Sequence, residues 1–444
     1  MAALAAVFAT SAMGVDMITK EYKLDNGLKV VVREDHRAPV VVAQVWYKVG
    51  SADEYTGITG ISHMLEHMMF KGTEKFPKDS YSQIISKHGG YENAFTSEDY
   101  TAYYAELDAT KLELSMELEA DRMQNLILDP TLFDKEHQVV KEERRLRTDD
   151  NPQKITYERF LAAANLAGPY HHPVIGWMHD IDQYTVDDLQ HWYNNWYGPS
   201  NAVLVVVGDV EADKIYELAK KYFGPVQKNV HQKTKAFAEI KSMGETRLKV
   251  NAPAKLPFFM MGFDVPTSGT LSDDANLAYE PYALNVAAEI LDGGDSARFA
   301  KILIRDKELA VSTGIHYEPF KRYGTQFILM GTPSEKHTVQ DLEKAFFEQL
   351  NRLKTELVTE KELKRVKTQI VADEVFNKDS ISEQATTIGA FESIGLSWKD
   401  ADAYAQRIKA ITPEQVQAVA KKYFTHEKIT TAELVPQPMH EERG

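Results

Sequence analysis

The sequence predicts an α+β fold of two related halves, each an antiparallel-rich sheet packed with helices. Internal repetition is the first reason. Tyr184–Tyr197 has the pattern of a capped helix and leads into the β-prone run Ala202–Val210, and Ile411–Phe424 leads in the same way into Thr430–Val435. The second reason is a hairpin pattern: Gly89–Thr96 and Tyr100–Leu107 are β-prone and are separated by the polar Ser97, Glu98 and Asp99. Size is the third, because 444 residues with 43% hydrophobic and 10% aromatic side chains support more than one core. The polar stretch around Gln227 to Glu245 marks the junction. Expected boundaries are an apolar tail at 1–16, a first domain at 17–228, a linker at 229–245 and a second domain at 246–444.

Along the chain, Ala2–Val15 is small and apolar but too short to cross a bilayer. It reads as the apolar core of a signal peptide ending near Ser11 and Ala12, with no basic residues ahead of it, or as a plain apolar tail. The first reading implies export to a bacterial periplasm, and the second leaves the cytoplasm. No later run is apolar for long enough to span a membrane.

In His63-Met64-Leu65-Glu66-His67 two imidazoles stand one helical turn apart with a carboxylate beside the second. Positions i and i+4 share a helix face and i+3 lies next to them. Two imidazole nitrogens can take two corners of a zinc tetrahedron while Glu66 removes a proton from water in the open position. This is the inverse of the His-Glu-x-x-His order. The alternative is two surface histidines on an amphipathic helix.

Asp134–Arg147 is rich in helix formers, with Val139, Val140 and Leu146 as its expected buried edge. Glu136 and Glu143 are two turns apart on one face. Glu143 can complete a His-His-Glu site, and Glu136 can accept a hydrogen bond from a ligand imidazole and fix its tautomer. A solvated helix with acids paired to Arg144, Arg145 and Arg147 is the alternative, and it is the preferred reading of Glu142.

Gly57–Thr73 resembles the active-site helix of the pitrilysin, or insulinase, family of zinc metallopeptidases, and Val139-Val140-Lys141-Glu142-Glu143 resembles the segment that carries that family's third ligand. The resemblance implies His63, His67 and Glu143 as zinc ligands, Glu66 as general base and Glu136 as the supporting acid. It extends through Gly89–Thr96, Asp121-Arg122-Met123 and Gly168–Gly176. Asn93 and Ala94 match the edge strand that receives an extended peptide by strand addition. Tyr103 and Tyr104 read equally well as core residues. His171 and His172, in a Pro-bounded loop, read as structural or substrate-facing.

The second half lacks this chemistry. Tyr282–Leu291 occupies the equivalent place in the repeat without a histidine pair, and Glu289 reads as a helix-surface acid. Active relatives use an arginine and a tyrosine from this half to hold substrate. Here Ser296–Phe299 and Arg305–Ser312 follow that outline, but Val311 stands where the tyrosine is expected. Arg305 remains a substrate-binding candidate, and Tyr317 is either a substitute for the tyrosine or a packed strand residue.

The net charge of −15 argues against broad nucleic-acid binding, and the absence of cysteine excludes disulfides and thiolate metal sites. The reading is therefore a zinc-dependent peptidase acting on peptides or small unfolded polypeptides. The resemblance implies that two halves form part of a clamshell-like chamber. It further implies a homodimer, or a heterodimer with a related subunit that supplies the Arg/Tyr pair. The rivals are a noncatalytic scaffold or processing-peptidase-like subunit, and a metal-binding protein without hydrolysis.

Overall fold

All seven residues of the strand Ala202–Gly208 are buried, so both of its faces are covered. That is the mark of a central strand rather than of a sheet with one wet face. The computed structural model describes residues 17–78, 80–227, 240, 243–271 and 274–438. The expected tail at 1–16 and most of the expected linker lie outside the described residues.

In the first half β1 (Thr19–Lys23), β2 (Lys29–Glu34), β3 (Val40–Tyr47), β4 (Tyr91–Thr96), β5 (Thr101–Asp108) and β6 (Ala202–Gly208) form one sheet in the order β1-β2-β6-β3-β5-β4. Only β2 and β6 pair in parallel. In the second half β7 (Thr246–Pro253), β8 (Phe258–Val265), β9 (Ala310–His316), β10 (Thr325–Pro333) and β11 (Ile429–Gln437) take the order β7-β11-β8-β10-β9, with β7 and β11 parallel. Apart from β1, the two orders are the same. The helices that feed β6 and β11 also correspond. Val186–Trp196 is capped by Thr185 with Asp188 returning the bond, and Pro413–Tyr423 by Thr412 with Gln415. The two halves are copies of one α+β unit.

The copies are joined by an exchange. Helix Pro152–Ala164 lies between β5 and β6 in the chain but packs on β7, β8 and β11 of the other half. Helix Ile381–Ser393 lies between β10 and β11 but packs on β3 and β6. The close approaches need glycine. A Cβ on Gly389 would sit 2.0 Å from the Trp46 ring, and one on Gly262 would sit 2.5 Å from the Phe160 ring. Trp46, Val203, Val205 and Val207 thus share an apolar layer with Ala385 and Ile388, while Phe160 joins Met260, Ala432 and Leu434. The other faces of the sheets bury each half's own helices, including Ile61–Met68 in the first and Glu280–Asp292 in the second.

Candidate active site

The Ile61–Met68 helix carries Ile61, Met64, Leu65 and Met68 into the core, leaving His63, Glu66 and His67 on the facing stripe. Its N-terminus is fixed by a residue that sequence reasoning missed. Glu54 is buried and accepts hydrogen bonds from the amides of Gly60, 2.7 Å, and Ser62, 2.9 Å. A carboxylate suits the orphan N–H groups there. Burial nevertheless pushes the Glu54 carboxyl up to about 8, against the pull of those two amides. Gly60 has φ 88°, and a Cβ on it would meet the Ile175 carbonyl oxygen at 2.3 Å, which locks the helix start against the Gly168–Gly176 loop.

The second contributor is helix Pro130–Arg144, begun by an Asp129 cap and Pro130. Its buried edge corrects the expectation. Phe133, His137, Val140 and Arg144 face inward, whereas Val139 is 49% and Leu146 72% exposed. The face that turns toward the histidines is the one bearing Glu136 and Glu143. Glu143 Oε2 lies 3.4 Å from His67 Nε2 and Oε1 lies 3.7 Å from His63 Nε2. Glu136 Oε2 lies 3.3 Å from His67 Nδ1, and its other oxygen pairs with Lys71 at 2.6 Å. A carboxylate only accepts, so Nδ1 carries the proton and Nε2 is turned to Glu143. Glu142 is exposed and pairs with Arg145, as the solvated-acid reading has it.

His63, His67 and Glu143 each offer a donor atom, and these atoms lie within 4.8 Å of one another. Zinc with arms of about 2.0 Å would need donor separations of roughly 3.3 Å, so the two contacts to Glu143 are near that spacing and the three donors would draw together around an ion. Two of the three donors have charge states that suit a cation, while the raised His67 must release a proton to bind one. Burial, then the neighbouring His67, lowers His63 to about 4, so it is neutral, and Glu143 is held below the usual carboxylate range chiefly by His67. His67 is raised, because Glu143 and Glu136 outweigh its burial. Glu66 is raised by burial and accepts a 2.5 Å hydrogen bond from Thr96 Oγ1. Arg147 pairs with Glu143 at 2.6 Å, a pairing that the solvated-helix alternative has for the acids of this helix.

Thr96 ends β4, the edge of the first sheet. Asn93 and Ala94 sit opposite Tyr104 and Tyr103 of β5. The Ala94 amide donates to Asn93 Oδ1 on this edge strand. Tyr103 is wholly buried with its hydroxyl 3.3 Å from that of Tyr197, and is a core residue. His172 is buried and lowered to about 4 by burial, and His171 bonds the Gly168 carbonyl; both are loop residues apart from the His-His-Glu group. Arg305 does not join the group either. It is exposed in the helical turn Phe299–Asp306 and donates to the Asp295 carbonyl. Tyr317 is buried with its hydroxyl donating to the Pro266 carbonyl, which makes it the packed tyrosine and not a substitute. Val311 is 58% exposed on β9.

Residues 29–176 match the family described as insulinase, peptidase family M16, and residues 183–370 match the M16 inactive domain. The zinc protease PqqE of Helicobacter pylori is 33% identical over 93% of this chain and 92% of its own length. The chain belongs to the M16 family. The crystal structure of a Helicobacter pylori protease matches with a TM-score of 0.88 and 31% identity, over 95% of this chain and 100% of that one. An M16 inactive-domain protein from Pseudomonas fluorescens, at 16% identity and TM-score 0.83 over 96% of this chain and 99% of its own, shares the fold. As an M16 chain, this one carries its donor group in the segment matched to the insulinase family, and the inactive-domain match begins after it, in the middle of the chain.

Proposed function

We propose that the protein is a zinc-dependent peptidase that hydrolyses peptides or small unfolded polypeptides. The observation that carries this reading is the gathering of His63, His67 and Glu143 donors beside the half-buried Glu66 carboxylate. His63 and His67 would hold the ion through Nε2 and Glu143 through its carboxylate, with Glu136 orienting His67. Bound there, zinc supplies Lewis acidity, acidifying water and polarising a carbonyl.

The chain's own residues do the rest. Glu66, its proton affinity raised by burial, takes the proton of the attacking water and returns it to the leaving amine. Thr96 holds one of its oxygens. The open edge of β4 adds the peptide as a further strand, with Asn93 and Ala94 nearest the reacting bond. Arg305, exposed on the second half, is left to contact substrate in an assembled chamber.

Two further parts belong to the proposal. The chain works as a dimer, with itself or with a related subunit that brings an Arg/Tyr pair, because Val311 is not a tyrosine and Tyr317 is buried. It acts in a bacterial periplasm, for which the apolar Ala2–Val15 is the support; the cytoplasm is the alternative. No helix among the described residues is long and apolar enough to cross a membrane.

The deciding experiment measures zinc content and chelator-sensitive peptide cleavage on one purified sample, alone and with a related chain lacking the histidine motif. Zinc with cleavage supports the proposal. Zinc without cleavage in either mixture points to a metal-binding protein, and neither zinc nor cleavage to a scaffold.

A further inference from the structure

Lys321 and Arg322 lie in the loop between β9 and β10, yet both reach into the other half. Lys321 is buried. Its ammonium pairs with Glu98 at 2.8 Å and with Glu318 at 2.8 Å, and stands 5.0 Å over the Tyr170 ring. The guanidinium of Arg322 bonds Asp53 at 2.9 Å and its Nε stands 3.4 Å from Asp99, whose carboxylate also accepts from the Arg322 amide at 3.0 Å. Tyr170 donates to Asp99 at 2.8 Å and accepts from the Tyr323 amide at 3.1 Å. The loop is rooted in its own half by Thr267, whose hydroxyl donates to the Lys321 carbonyl at 2.8 Å.

Three of these contacts, Lys321 to Glu98 and the Arg322 amide and Tyr170 hydroxyl to Asp99, fall on the turn that joins β4 to β5. From the other side, Ser51 and Ala52 amides donate to the Ser97 and Glu98 carbonyls at 3.2 and 2.8 Å. The next residue along β4 is Thr96, whose hydroxyl holds Glu66. A charge pair removed from water in this way is costly to break, because the surviving partner is left buried and unpaired. The turn is therefore held from both sides, and one of them is the half that carries none of the His-His-Glu donors.

We infer that Lys321 and Arg322 are positioning residues for the peptidase site, clamping the β4–β5 turn so that Thr96 Oγ1 stays on the Glu66 carboxylate. The inference rests on the peptidase reading above. It assigns the second half a direct part in the chemistry of the first.

The test uses the full chain loaded with zinc. Thr96→Val should lower kcat about ten- to a hundredfold while KM changes little, and Thr96→Ser should restore most of it. Lys321→Met should give a similar loss of kcat and faster hydrogen exchange of amides 96–100, with zinc content unchanged. The double variant Thr96→Val with Lys321→Met should be no worse than Thr96→Val alone, since both act on one contact. Arg322→Met serves in the same cycle if Lys321→Met fails to fold. Additive losses, or unchanged exchange at the turn in either clamp variant, would overturn the inference. A wild-type chain that binds zinc without cleaving peptide would overturn the peptidase reading instead, and the exchange measurement would still decide whether the clamp holds the turn.

Discussion

Helix Ile61–Met68 and helix Glu280–Asp292 occupy the same place in the two copies of the fold, between β3 and β4 of the chain in the first and between β8 and β9 in the second. The first is 8 residues long and keeps His63, Glu66 and His67 half-buried on one stripe. The second is 13 residues long and buries Tyr282, Ala283, Leu284, Val286, Ala287, Ile290 and Leu291. One copy keeps a histidine pair and a carboxylate half-buried, where burial drives His63 down and Glu66 up; the half-buried residues of the other are Asn285, Ala288, Glu289 and Asp292, with no histidine among them. Both copies have the same strand order, so the fold does not depend on the donor group. The difference locates the chemistry and implies that the site's polar residues cost stability.

The comparison is broken most sharply at Glu66. Glu66→Gln should lower turnover by roughly a thousandfold with zinc retained, because the amide keeps the shape but cannot take a proton. Turnover and metal content measured on the same sample check this, and wild-type turnover would remove Glu66 as the base. Next, Glu143→Gln should weaken zinc retention far more than Glu142→Gln, and Glu136→Gln should cost about 10- to 100-fold in zinc affinity through loss of its hold on His67. Competition with a chelator ranks the three variants; equal affinity for the first two would overturn the ligand assignment.

The copies can also be sharpened where they interlock. Gly389→Ala drives a methyl into Trp46 and should cost about 1–3 kcal/mol in urea unfolding, lowering the stability of both halves together. Separate transitions for the two halves would show that the exchanged helices do not couple them. The smallest effect concerns Glu54. Its folded carboxyl titrates near 8 against an ordinary 4.5, so its contribution to stability is complete below 4.5 and is lost as pH rises through about 8. From pH 5 to pH 8 the wild-type Tm should fall by about a degree or two more than that of Glu54→Gln. Parallel curves for the two proteins would rule out a raised Glu54.

Much of the site was legible because its parts are local. The His63, Glu66 and His67 spacing is a property of one helix turn, and the Glu136 and Glu143 spacing a property of two. The caps at Thr185 and Thr412 announced the repeat in the same short-range way. The buried edge of helix Pro130–Arg144 was right at Val140 but wrong at Val139 and Leu146, which hydrophobicity alone had selected. The inward residues include His137, bonded to the Ile181 carbonyl, and Arg144, paired with Glu158 at 2.7 Å. Polar groups satisfied by distant partners look like surface in a sequence. Glu54, Thr96, Lys321 and Arg322 escaped for the same reason, since each acts on something that only the fold brings near. The exchange of helices left no trace in periodicity, because an apolar stripe does not say which sheet it covers.

That exchange also limits how the protein can change by deletion. Each half supplies the cover for the other's sheet, so a chain cut down to its ligand-bearing half would lose Ala385 and Ile388 and bare Trp46, Val203, Val205 and Val207 to solvent. An uncovered apolar sheet of that kind invites association with other chains. The half without the donor group thus shelters the sheet on which the donor-bearing helix rests.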